Sequence, residues 1–172
     1  EGAAVPLPAH GAGALRSRAV ETPANAARRA VVAAFDPDVE TRTGATAAVA
    51  AAADCGPVGL LSNCSVPELV ARVLIRSDLD RDAFDAVVTS VGCGWRKPHP
   101  EAFRTVADEL EVATDALCHV GDDPATDGGV EAVDGAFLNA TEQDLGALAA
   151  RFREDAGRDA ATGDNGGESP CR

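Results

Sequence analysis

Apolar residues along the chain fall into short runs bounded by Gly, Pro and Asp, and these alternate with longer stretches at helical spacing. Val58 to Leu61, Ala116 to Val120 and Ala136 to Leu138 are short, mainly apolar runs, and Phe84 to Thr89 is another strand-like run. Such runs predict strands buried on both faces, as in a parallel sheet. Between them the period changes. Thr22-Pro23 offers an N-cap and a first-turn proline for a helix from Pro23 to about Phe35, with Ala27, Ala30, Val31 and Ala34 on one face. Asp36-Pro37-Asp38 ends it, because the residue before a proline avoids the α region. An alanine-rich helix is expected from about Ala45 to Ala53. A capping box, Ser65-Val66-Pro67-Glu68, opens another helix to about Ile75. Phe103, Val106, Ala107 and Leu110 mark a strongly amphipathic helix. Gly128 to Val133 suggests a short one, and Thr141 caps a last helix reaching about Phe152. Strands alternating with helices argue for an α/β fold built on a parallel sheet with right-handed crossovers. Residues 1–18 show no sustained periodicity, and from Asp155 onward the Gly/Asp/Ser-rich sequence is expected to be disordered.

The charge balance narrows the partners. The formal net charge is −13, from 28 acidic and 15 basic residues, and Lys97 is the only lysine. An acidic, alanine-rich, nearly lysine-free chain looks like one adapted to concentrated salt, and its charge argues against nucleic acid or an anionic membrane as partner. No apolar run approaches membrane-spanning length. The five cysteines form no CxxC pair. Cys55, Cys64, Cys93 and Cys118 are expected as small buried hydrophobes, and Cys171 sits in the tail. An odd count without a signal peptide suits a reducing cytoplasm. Methionine is absent and Glu1 opens abruptly into Ala/Pro/Gly-rich sequence, so the chain is expected to be incomplete at its N-terminus.

Three polar clusters each follow a strand or a strand-like run. Asp122, Asp123 and Asp127 come directly after Ala116 to Val120 and Gly121. Carboxylates gathered at a strand's carboxyl end suit a hard cation such as Mg²⁺; the other reading is an acidic surface turn. Ser62-Asn63 follows Val58 to Leu61 and precedes a helix, which makes either a phosphate cradle or an ordinary turn and cap. Lys97 lies in the loop Gly92-Cys93-Gly94-Trp95-Arg96-Lys97-Pro98-His99-Pro100, where a compact ammonium can approach phosphate and carboxylate together. The alternative is a lone lysine on a loop by chance.

Leu60-Leu61-Ser62-Asn63, Lys97-Pro98-His99-Pro100-Glu101-Ala102-Phe103 and Val120-Gly121-Asp122-Asp123 through Asp127, taken together, resemble the second, third and fourth motifs of the haloacid dehalogenase (HAD) superfamily. Their order and spacing agree with it, and the resemblance runs from about Thr43 to Asn139. It implies a Rossmann-like HAD core, usually with a mobile cap domain, and a Mg²⁺-dependent phosphatase of a small phosphorylated metabolite. By position, Ser62 would bond the transferring phosphoryl group with help from the Asn63 amide. Lys97 would neutralise the phosphate and the nucleophilic carboxylate. Asp122 would ligate Mg²⁺, and Asp127 would orient the metal's water shell or pair with Lys97. Asp123 stands where relatives often have serine. His99 and His119 receive no role. The implied chemistry is attack by an aspartate on phosphorus, an aspartyl-phosphate intermediate and its hydrolysis.

The family's first motif, DxDxT or DxDxV after an apolar strand, carries the nucleophile. Its only counterpart is Asp36-Pro37-Asp38-Val39-Glu40, with glutamate in the fifth place and little more than one short helix before Ser62. The expectation is therefore that residues 1–40 are the remnant of a helical cap, 41–154 the core and 155–172 a disordered acidic tail. The nucleophile strand would lie outside the chain. A 2-haloacid dehalogenase and a non-catalytic phosphate-binding relic are the alternatives. The oligomeric expectation is a monomer or homodimer.

Overall fold

The structure is a computed structural model that describes residues 2–23, 25–66 and 68–162. Among the described residues, four short strands form two parallel pairs. β1 (Gly59–Ser62) pairs with β2 (Ala86–Thr89), from Gly59 opposite Ala86 to Ser62 opposite Thr89. β3 (Cys118–Gly121) pairs with β4 (Ala136–Asn139), from Cys118 opposite Ala136 to Gly121 opposite Asn139. The α/β class expected from the sequence is what the chain adopts, although the described strands make two sheets rather than one.

The helices are α1 (Leu7–Ser17), α2 (Ala26–Ala34), α3 (Ala45–Ala53), α4 (Leu69–Arg76), α5 (Ser90–Cys93), α6 (Pro100–Glu109), α7 (Pro124–Asp127) and α8 (Leu145–Thr162). Short 3₁₀ turns cover Arg81–Ala83, Thr114–Ala116 and Gly128–Val133. α6 begins where the sequence says it should. Pro100 occupies the first turn, where a missing N–H costs nothing, and His99 Nδ1 accepts from the Glu101 amide at 3.3 Å. Its buried face is Ala102, Phe103, Val106 and Ala107. Phe103 is fully buried and joins Val130 and Val133, with Leu61 of β1 and Leu117 and Phe137 packed around them. One ring thus ties the neighbourhood of both strand pairs together. Burying it contributes roughly 2–3 kcal/mol. A second cluster holds α3 to α8: Ala48 and Ala51 let Leu145, Leu148, Ala149 and Phe152 approach closely.

Several local expectations are corrected. Residues 7–17 form a helix despite Pro8 and two glycines. α2 starts at Ala26 after a left-handed Asn25, so Thr22 does not cap it. The capping box does not form: Glu68 is left-handed with no capping bond and pairs with Arg28, while the Ser65 hydroxyl accepts from Arg96 at 2.9 Å. Pro67 lies outside the described residues. Asp144, rather than Thr141, caps α8 through the Ala147 amide at 2.9 Å; Thr141 bonds Asn139 instead. α8 continues past Phe152 to Thr162, so residues 155–162 are helical; 163–172, Cys171 included, lie outside the described residues. Cys64 is buried as expected, but Cys55 is exposed. No helix among the described residues is long and apolar enough to cross a membrane.

Candidate active site

The three polar clusters meet at the carboxyl ends of β1 and β3. Lys97 is the centre of the assembly. Its Nζ donates to Asp127 Oδ1 at 2.6 Å and to the Leu61 carbonyl at 3.1 Å, which links the loop before α6 to β1 and to α7. The lysine side chain is 11% exposed and the aspartate 3%. Asp127 is held from every side. Oδ1 also lies 3.0 Å from His119 Nε2, and Oδ2 accepts the Asp123 amide at 3.0 Å. Burial pushes the Asp127 carboxyl up, but hydrogen bonds from Lys97, the Asp123 amide and His119, with the lysine charge, outweigh it and hold the group at about 2. Gly121 makes this possible: a Cβ there would overlap the Asp127 carboxyl group.

The loop that carries Lys97 is itself fixed. Asn63 makes a reciprocal pair with the lysine backbone, its amide nitrogen donating to the Lys97 carbonyl at 2.9 Å and its oxygen accepting from the Lys97 N–H at 2.8 Å. Trp95 stacks on His99 with ring centroids 4.1 Å apart. The N-terminal segment runs antiparallel beside the loop, with Ala4 N–H donating to the Gly94 carbonyl at 2.7 Å and Arg96 N–H to the Gly2 carbonyl at 2.9 Å. The Asn63 side chain is therefore spent on placing Lys97. Sequence reading misses this role and that of His119, since neither contact is visible without the fold.

Ser62 ends β1, one residue beyond the carbonyl that Lys97 binds. The three acids separate in function. Asp123 caps α7, with Oδ1 accepting from the Ala125 amide at 3.0 Å and Oδ2 from the Thr126 hydroxyl at 3.1 Å. Asp127 is consumed by Lys97 and His119. Asp122 is exposed, borders the cleft, and has no hydrogen-bond partner among the described residues. Among those residues no group of three or more His, Cys, Asp or Glu side chains could hold a metal ion by itself. One open carboxylate nevertheless fits Mg²⁺, which takes one or two carboxylates and fills its octahedron with water and phosphate oxygens.

A cleft of about 1090 Å³ lies between the strand pairs, lined by Gly59, Leu60 and Leu61 of β1 and by Cys118 to Gly121 of β3, with Lys97, Asp122 and Asp127 bordering it. Neither Asp36 nor Asp38 lines it. Asp36 is turned to α4, where Arg76 and Arg72 pair with it, and the bond from Arg76 and its charge lower its carboxyl pKa.

The crystal structure of an HAD phosphatase from Thermococcus onnurineus shares this fold, with a TM-score of 0.53 and 24% identity over 58% of this chain. The matched region makes up 46% of that protein, so this chain spans less than half the length of its structural relative. No curated protein is matched. The family model of haloacid dehalogenase-like hydrolases covers residues 8–129, from α1 through the Lys97 loop and the whole acidic turn. That match covers well over half of the chain, and the chain belongs to the haloacid dehalogenase-like hydrolases.

Proposed function

We propose that this chain carries the phosphate- and Mg²⁺-binding part of a phosphatase acting on a small phosphorylated metabolite. A single observation carries the reading: a nearly buried ammonium at a strand's carboxyl end, bordering a cleft beside Asp122, which has no partner among the described residues. Lys97 binds a phosphoryl oxygen, the Ser62 hydroxyl and the Asn63 amide bind others, and Asp122 ligates Mg²⁺, with Asp123 and Asp127 shaping its loop. When bound, Mg²⁺ withdraws charge from the phosphoryl group. Lys97 and Ser62 hold that group still and offset its negative charge.

The nucleophile is a carboxylate on a strand outside residues 1–172, seated in the cleft between β1 and β3. The cleft lined by β1 and β3, and the capture of Asp36 by α4, support this placement. The carboxylate oxygen bonds to phosphorus as the P–O ester bond breaks, and the leaving alkoxide takes a proton from solvent water. Water then attacks phosphorus, releasing inorganic phosphate and restoring the carboxylate. Residues 1–40 are the remnant of a helical cap, and the protein works in a salt-rich cytoplasm. A version extended upstream with a DxDxT strand should hydrolyse p-nitrophenyl phosphate with Mg²⁺ and high salt. Lys97→Ala in that version should cost orders of magnitude in rate. An extended version that folds and binds phosphate yet never turns it over would favour the relic reading.

A further inference from the structure

Every acceptor around Lys97 can be assigned, and the assignment fixes the state of a residue without a role so far. His119 sits on β3, mostly buried, with Phe103 edge-on against its ring at 5.3 Å between centroids. Its Nε2 lies 3.0 Å from Asp127 Oδ1 and 3.4 Å from Lys97 Nζ. The two contacts require opposite tautomers. Bonding to an ionised carboxylate oxygen requires a proton on Nε2, because a carboxylate only accepts. Bonding to an ammonium requires a bare Nε2, because an ammonium only donates. The carboxylate contact is shorter and its oxygen is ionised, and a bare Nε2 would set two lone pairs against each other at 3.0 Å. The proton therefore belongs on Nε2.

We infer that His119 is a positioning residue: as the Nε2–H tautomer it shares Asp127 Oδ1 with Lys97 and leaves one ammonium proton of Lys97 unclaimed for a phosphoryl oxygen in the cleft. The inference rests on the phosphate reading of Lys97 given above. An ammonium has three protons, and two are taken by Asp127 Oδ1 and the Leu61 carbonyl. In the other tautomer His119 would take the third. With Nε2–H, the histidine instead pins the carboxylate from a second direction while the Asp123 amide holds its other oxygen. The lysine then has one fixed partner orientation, and its remaining proton has one fixed direction.

The sequence supplies an unusually clean probe, since Lys97 is the only lysine. In the 172-residue chain labelled with ¹⁵N-lysine and ¹⁵N-histidine, the ring spectrum of His119, assigned by its loss in His119→Gln, should show a protonated Nε2 and a bare Nδ1. Inorganic phosphate should move the single Lys97 Nζ signal. His119→Gln, which keeps an N–H donor near the same place, should bind phosphate within about threefold of the unaltered chain. His119→Leu, folded by circular dichroism, should bind it roughly tenfold or more weakly, the loss typical of a hydrogen bond to a charged group. Tighter binding by His119→Leu, or a bare Nε2 in the ring spectrum, overturns the inference, because His119 would then have been competing for the third proton. If phosphate leaves the Lys97 signal unmoved in the unaltered chain, the phosphate reading fails, and with it the purpose assigned to His119, while the ring spectrum still decides the tautomer.

Discussion

Replacing Asp127 with asparagine removes one charge from a nearly buried pair and should be among the most damaging single changes available in this chain. The carboxylate is buried and accepts from Lys97, His119 and the Asp123 amide. Asp127→Asn removes the negative charge opposite the nearly buried Lys97 ammonium, and breaking a buried pair from one side costs about 3–5 kcal/mol. The pH dependence supplies the sharper number. The Asp127 carboxyl falls from an ordinary 3.8 to about 2. At ~1.36 kcal/mol per pH unit, that interval amounts to about 2.4 kcal/mol. Because the folded pKa is depressed, this stability is fully present above pH ~4 and is lost as the pH falls toward 2. The assay is urea unfolding in multimolar KCl, followed by the fluorescence of Trp95, the only tryptophan, which stacks beside Lys97 in the same loop. The gap between the unaltered chain and Asp127→Asn should narrow by about 2 kcal/mol between pH 5 and pH 2. Asp36→Asn, on an exposed pair with Arg76, should shift unfolding little at any pH. A gap between the Asp127 pair of proteins that stays constant down to pH 2 would refute the argument.

Further outcomes follow from the same structure. Self-repulsion among 28 acidic residues should make the melting temperature climb steeply from dilute buffer to multimolar KCl, and a flat profile would remove the salt-adapted reading. Mg²⁺ should raise the melting temperature beyond an equal ionic strength of KCl, and Asp122→Asn should abolish the difference. Asp144→Asn should keep it, because asparagine caps α8 nearly as well; equal responses would mean that the acids are only solvated surface. Gly121→Ala should destabilise the fold and weaken phosphate binding together, since the new methyl occupies the space of the Asp127 carboxyl. Loss of neither would show that the loop has room to relax.

What the sequence reveals about this protein follows physical range. α3 runs over Ala45–Ala53 as read, because an alanine-rich run after Gly44 needs no tertiary help to be recognised. The strands are legible from apolar runs ended by glycine or polar turns, and Lys97, Ser62 and Asp122 stand out as candidates because they follow those runs. α1 is missed because Pro8 looks like a breaker, yet it stands in the first turn where its missing N–H is harmless. The helix is then held by packing on α2. The Ser65–Glu68 box is a sound local signal overridden by distant arginines, Arg96 on the serine and Arg28 on the glutamate. Asn63 and His119 act across 34 and 8 residues of sequence, and no local pattern encodes such contacts.

If this chain holds the phosphate and metal side of the reaction while the nucleophile lies on another strand, residues 1–172 alone lack the group that attacks phosphorus. Steady-state hydrolysis of p-nitrophenyl phosphate by residues 1–172, with Mg²⁺ and multimolar KCl present, tests it most directly. Turnover should not exceed the buffer rate, in the unaltered chain and in Asp36→Asn alike. Robust turnover that disappears in Asp36→Asn would contradict it, because the carboxylate now paired with Arg76 would then be the nucleophile.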